Sequence, residues 1–131
     1  MSDNSQQELI DYRLQQADDS VLEARTLAKV SLWRGAINRA YYAMFYATLA
    51  LTVQKQQVIS KHTGVIAFFD KEFIRTGVFP KEMSRSLHFA FERRQNSDYG
   101  ELLSENPEEA MRAIDEAAEF AQKVKDYLHR T

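Results

Sequence analysis

The sequence predicts an all-α protein: an up-down antiparallel helical bundle of four long helices plus a shorter one. Three observations carry that reading. Only four Gly and two Pro occur in 131 residues, so few points in the chain favour a turn over a continuing helix. Apolar residues return at spacings of three and four along nearly the whole length, the period of one helix face. No credible strand pattern appears, and no unit repeats at the roughly 20–50-residue period of a repeat array.

The first helix is expected from about Ser5 to Val30. Its stripe is Ile10, Leu14, Ala17, Val21, Ala24 and Ala28, in alternating steps of four and three. The second, from about Leu32 to Gln54, repeats that rhythm with Ala36, Ala40, Ala43, Ala47 and Ala50. Seams so rich in alanine let two axes approach to roughly 8 Å, and the short connection near Leu32 favours an antiparallel hairpin. The third helix is expected from about Lys61 to Arg75, with Ser60 as N-cap and Gly77 as C-terminal cap. It turns Ile66, Phe69 and Phe73 inward.

The fourth helix opens near Pro80, a residue suited to a first turn, and is expected to end around Gln95. Residues 96–105 then make the longest irregular stretch. The fifth helix has the clearest start signal in the chain: Asn106 as N-cap, Pro107, Glu108, then Glu109 in a capping-box-like position. Its inner stripe is Ala110, Ile114, Ala117, Ala121, Val124 and Leu128.

One domain over residues 1–131 is expected, since this length supports a single core. A hydrophobic content of 44% and a charged content of 27% are those of an ordinary globular chain. No apolar run approaches the ~20 residues of a membrane span. The N-terminus, MSDNSQQELID, is polar and acidic, unlike a secretory signal, so a cytoplasmic protein is expected. With no cysteine, disulfides, thiolate metal sites and cysteine nucleophiles are excluded.

Charge is unevenly distributed along the chain. Residues 1–24 hold one Arg against six acids, residues 25–94 twelve Lys and Arg against four, and residues 95–131 four bases against nine acids. A basic middle between acidic ends suits either a polyanionic ligand or charge pairing between adjacent helices.

Arg94 stands where a helical core residue belongs. Met83, Leu87, Ala90 and Phe91 lie on one face of the fourth helix, and Arg94 continues that face. An inward guanidinium needs a carboxylate, carbonyls or an anionic ligand, because a buried charge without a partner is costly. Asp98 and Tyr99 follow within five residues, then Gly100. Asp98 is either a base or the carboxylate that neutralises Arg94. On the second helix, Asn38 or Arg39, then Tyr42, Tyr46, Leu49 and Val53, form a stripe beside the alanines. The tyrosines suit a core with wetted tips, whereas Asn38 and Arg39 need polar partners. His62 opens the third helix and is a candidate to face Arg94. Arg93 is a further cation next to Arg94.

Three segments carry a resemblance: Asn38-Arg39-Ala40-Tyr41-Tyr42-Ala43-Met44-Phe45-Tyr46-Ala47, Ser60-Lys61-His62-Thr63-Gly64-Val65-Ile66, and Arg94-Gln95-Asn96-Ser97-Asp98-Tyr99-Gly100. Over about residues 6–130 the chain resembles the HEPN domain family, and in particular the small stand-alone HEPN proteins encoded beside a minimal nucleotidyltransferase. The resemblance implies a bundle of four or five helices, a homodimer, and a role as the toxin half of a toxin–antitoxin pair or as a defence ribonuclease. In active members an arginine, followed four to six positions later by a histidine, forms a metal-independent RNA-cleaving site, often across the dimer interface. Arg94 matches that arginine. Tyr99 stands where the histidine is expected, and Asp98-Tyr99 is similar to what a subgroup of the family carries. The resemblance also implies that the partner transferase silences the protein by moving AMP onto a tyrosine near this motif, here Tyr99.

The departure at Tyr99 has a chemical cost. Cleavage by the RNA 2′-hydroxyl needs a base for its proton and cationic donors for charge building on phosphorus. At neutral pH a phenol of ordinary pKa offers only about 0.1% phenolate, a deficit on the order of 10³ relative to imidazole. Arg94 can hold a phosphate but cannot serve as a base. On this reading the catalytic candidates are Arg94, Asp98, Tyr99 and His62. Asn38, Arg39, Tyr42 and Arg93 are the nucleotide- or RNA-contacting candidates. The alternative is a catalytically silent module that binds nucleotide or RNA and partners a nucleotidyltransferase. No Gly-rich phosphate loop, zinc spacing or Ser-His-Asp set occurs, so neither metal nor cofactor is expected.

Overall fold

The computed structural model describes residues 3–98 and 106–130, with side chains for 4–95 and 106–130. In chain order it contains α1 (Asp3–Lys29), α2 (Trp33–Gln54), α3 (His62–Phe69), a π-helical turn (Asp70–Ile74), α4 (Lys81–Asp98) and α5 (Pro107–Arg130). The described residues contain five α-helices and no strand, the expected all-α HEPN-like bundle.

The α1–α2 hairpin closes through a left-handed cap built without glycine. Ser31 has φ 62°, its N–H bonds to Ala28 O at 3.0 Å, and Leu32 N–H reaches back to Leu27 O at 2.9 Å. This pair of bonds satisfies the last carbonyls of α1 and reverses the chain within three residues. Between the two helices the expected seam forms, with Ala17, Ala24, Ala36, Ala43 and Ala47 fully buried. Val21 differs from expectation: it is only partly buried, while the neighbouring Ser20 is buried. A strict four-three alternation drifts against the true helical period, so one stripe position slips by a residue.

The third helix departs further from its expected form. Lys61 rather than Ser60 occupies the N-cap, with extended backbone and no side-chain cap bond. The α pattern ends at Phe69, and the widened turn that follows carries an Arg75 N–H to Asp70 O bond of 2.9 Å. Asp70 ties this turn to α4, accepting from Ser84 Oγ at 2.6 Å and pairing with His88 Nε2 at 2.7 Å. Phe69 and Phe73 still face inward. With Phe79, Phe120 and Tyr127 they form an aromatic cluster whose ring centroids lie 5.2–6.1 Å apart. Gly77, at φ 79°, ends the segment as expected, its N–H bonded to Ile74 O at 3.0 Å.

Helix α4 continues three residues beyond Gln95, to Asp98. Gln95, Asn96, Ser97 and Asp98 include no Gly or Pro, so nothing local halts it before Gly100. Arg94 is therefore a full turn inside the helix, and Asp98 occupies the position one turn onward on the same face. The rest of the irregular stretch lies outside the described residues. Helix α5 starts as its sequence signals: Asn106 Oδ1 accepts from Glu108 N–H at 2.9 Å and Glu109 N–H at 3.4 Å. Its expected stripe is buried, joined by Phe120. Among the described residues no helix is long and apolar enough to cross a membrane.

Candidate functional site

The site begins with two adjacent tyrosines on α2. Successive helix positions differ by about 100°, so only one can face the core. Tyr41 is fully buried and Tyr42 is half-buried. The extended Lys61 N-cap delivers His62 beside them as the first residue of α3. Tyr41 Oη and His62 Nδ1 are hydrogen-bonded at 2.7 Å. The imidazole lies flat on Phe45, with centroids 4.1 Å apart and planes 9° apart, and meets Tyr42 edge-on at 6.0 Å. Three aromatic rings thus fix one histidine ring.

Arg94 enters from α4. Its guanidinium carbon lies 5.5 Å from the Tyr42 ring centroid and 5.7 Å from that of Tyr41. The side chain is half-buried and its Nε is fully buried. Arg39 approaches Tyr42 as well, with its guanidinium carbon 4.7 Å from the centroid. Arg39 donates to Asn38 Oδ1 at 3.3 Å and pairs with Glu23 Oε1 at 3.5 Å. Two guanidiniums near one phenol ring place concentrated positive charge on an aromatic floor, each contact contributing about 0.5–1 kcal/mol where partly solvated.

This environment sets protonation. Burial pushes the Tyr41 phenol well above its usual range, outweighing the opposite pull of Arg94, and neighbouring Tyr42 adds to the rise. Burial also lowers the His62 pKa below its ordinary value, and the positive charge of Arg94 lowers it further. At neutral pH the pair is a neutral phenol and a neutral imidazole beside a fixed cation. Such a set can bind an anion through charge and directional N–H donors.

Of the residues singled out from sequence, Arg94, His62, Asn38, Arg39 and Tyr42 come together, all within one chain. Arg93 does not join them. Its side chain projects to another face of α4 and contacts Glu109 on α5 at 3.1 and 3.3 Å. Its guanidinium carbon is also 5.8 Å from the Phe89 ring. There it forms an inter-helix ion pair, on a different face of α4 from Arg94. The side chain of Asp98 and all of Tyr99 lie outside the described residues.

Tyr41 is the site residue that sequence reading missed. A signal was present: Tyr41 falls four residues after Ile37 and three before Met44, on a face that is buried throughout. A phenol on such a face needs a hydrogen-bond partner.

The HEPN domain model matches residues 10–127 of this sequence. The chain belongs to the HEPN family. It is similar to a UPF0332 protein of Thermotoga maritima, 35% identical over 125 residues that cover 95% of each chain. It is also similar to two proteins of Methanocaldococcus jannaschii. One, named "Putative toxin MJ0142", is 32% identical over 115 residues, 88% of this chain and 78% of that one. The other, named "Putative toxin MJ0605", is 32% identical over 114 residues, 86% and 83% of the respective chains. In this HEPN chain the imidazole beside Arg94 comes from the start of α3, not from the position five residues downstream.

Proposed function

We propose that this HEPN protein is the toxin component of a HEPN/nucleotidyltransferase toxin–antitoxin pair, and that it cleaves RNA without a metal ion as a cytoplasmic homodimer. The observation that carries this reading is the half-buried Arg94 guanidinium laid over Tyr41 and Tyr42 with His62 on the same rings. Arg94 takes the scissile phosphate and offsets charge that builds on it during attack. Asp98 and Tyr99 are the groups available to handle protons, His62 completes the catalytic set beside Arg94, and Asn38, Arg39 and Tyr42 organise the pocket. The two toxin-named relatives support the toxin part of the reading.

Tyr99 has a second role in this account, as the acceptor through which the partner transferase silences the toxin. The phenol oxygen attacks the α-phosphorus of ATP, a new O–P bond forms, pyrophosphate leaves, and the phenol proton passes to solvent. The added phosphate places negative charge and bulk near Arg94 and blocks the anion site. Mass gain on Tyr99 after incubation with the transferase and ATP tests this step, and an unmodified Tyr99 contradicts it.

One observation favours a second reading. Tyr99 replaces the histidine of active members, which suits a catalytically silent module that binds nucleotide or RNA alongside its transferase. Induced expression separates the two. The toxin reading expects growth arrest and degraded total RNA with wild type, both lost in Arg94→Ala. Normal growth with intact RNA in the wild type removes the ribonuclease.

A further inference from the structure

The hydrogen bond between Tyr41 and His62 constrains where the imidazole carries its proton. Tyr41 is fully buried, so its hydroxyl hydrogen must rest on an acceptor or lose a hydrogen bond in a dry setting. Among the described residues its one polar partner is Nδ1 of His62 at 2.7 Å. If Nδ1 carried hydrogen and donated to the phenol, the phenol's own hydrogen would have no acceptor there. If the phenol donates, Nδ1 is bare, and a neutral imidazole with a bare Nδ1 carries its single hydrogen on Nε2. The second arrangement gives the buried hydroxyl hydrogen its acceptor.

We propose that Tyr41 is a positioning residue that locks His62 as the Nε2–H tautomer, making His62 a neutral hydrogen-bond donor beside Arg94 rather than the site's base. The donor role rests on the reading of Arg94 as a phosphate site; the tautomer does not. Ring packing reinforces the lock. A 180° flip about Cβ–Cγ would turn a carbon toward the Tyr41 hydroxyl, and the ring is held flat against Phe45 and edge-on to Tyr42. Among the described residues the guanidiniums of Arg94 and Arg39 and the phenol of Tyr42 are the other polar groups at these rings, and none supplies an acceptor stronger than Nδ1 for the buried proton.

The chemical consequence is a division of labour. A base must offer a lone pair, but Nε2 of this tautomer has none in the ring plane and that of Nδ1 is engaged by Tyr41. Abstraction of a 2′-hydroxyl proton then falls to Asp98 or Tyr99. His62 offers one N–H in a fixed direction and Arg94 a planar fork, so two oxygens of one phosphate can be met by different donors.

Long-range ¹H–¹⁵N spectra of ¹⁵N-histidine-labelled protein read the tautomer directly. His62 is assigned among the three histidines by its loss in His62→Gln. The wild type is expected to show hydrogen on Nε2, and Tyr41→Phe, which keeps the ring and removes the hydroxyl, a shift toward mixed tautomers. Hydrogen on Nδ1 in the wild type, or a spectrum unchanged in Tyr41→Phe, overturns the lock. The second arm titrates a 2′-O-methyl tetraribonucleotide, which presents phosphates and cannot be cleaved. His62→Gln keeps a side-chain N–H and is expected to bind within about threefold of wild type, while His62→Phe loses about tenfold. Equal loss in Gln and Phe overturns the donor role. A wild type that shows Nε2–H yet binds no tetranucleotide leaves the lock standing and removes the phosphate reading of Arg94.

Discussion

His62 sits between two influences that both oppose its charged form, desolvation first and the Arg94 cation second. Their direction fixes how stability responds to acid. In the unfolded chain this imidazole titrates near its ordinary value of about 6.5; in the fold it titrates lower. As pH falls through about 6.5 the unfolded state binds the proton first, so the fold loses stability until native His62 is protonated too. Above that window the group contributes no such penalty. Thermal melts between about pH 7.5 and 5 are expected to show wild type losing more stability than His62→Phe, which keeps a ring on Phe45. Parallel pH profiles would contradict the environment described. Arg94 and His62 were legible in the sequence because each is a misfit, a cation on an apolar face and an imidazole at a helix start. Tyr41 was not, since a tyrosine in an aromatic run looks like core until its burial exposes the need for a partner.

At the scale of elements, the alanine seam is the feature that lets α1 and α2 pack at close range. Ala47 is fully buried, so Ala47→Leu is expected to destabilise the protein by about 1–3 kcal/mol through overpacking. Urea denaturation measures this, and an unchanged midpoint would mean the seam is looser than described. The Asn106 cap is expected to contribute about 1 kcal/mol, lost in Asn106→Ala and read in the same way. Helix existence and inner faces were readable because side-chain periodicity reports burial directly. The π turn at Asp70–Ile74 was not readable, because the same inward Phe69 and Phe73 satisfy an uninterrupted α pattern and only the backbone bonding differs. The end of α4 was misplaced for a related reason: polar residues 95–98 read as loop, but with no Gly or Pro among them the helix simply continues.

Across the whole molecule, the uneven charge along the sequence is partly consumed within the bundle. Arg25 pairs with Asp115 at 3.4 Å, Lys125 with Asp18 at 2.8 Å, Arg39 with Glu23 at 3.5 Å and Arg93 with Glu109 at 3.1 Å, each joining two helices. The Arg25–Asp115 pair, exposed on both sides, contributes little, about 0–1 kcal/mol, and Arg93–Glu109 is the most sheltered of the four. Added salt is therefore expected to shift the melting temperature only slightly while weakening RNA binding along a log-linear slope. For single strands that slope is about −0.7 per phosphate neutralised, and Arg94→Ala should reduce it by about that amount. A slope identical in both proteins would mean that Arg94 meets no phosphate. The basic middle segment was visible in the sequence, but which cations pair internally and which line the aromatic floor depends on helix neighbours that spacing alone does not specify.

The most direct measurement compares wild type and Arg94→Ala for affinity to the uncleavable 2′-O-methyl tetranucleotide, with melting temperatures taken on the same samples. Arg94→Ala is expected to lose at least about tenfold in affinity with the melting temperature held within about 3 °C. Equal affinity together with a markedly lower melting temperature would make Arg94 a packing residue and contradict the proposed site.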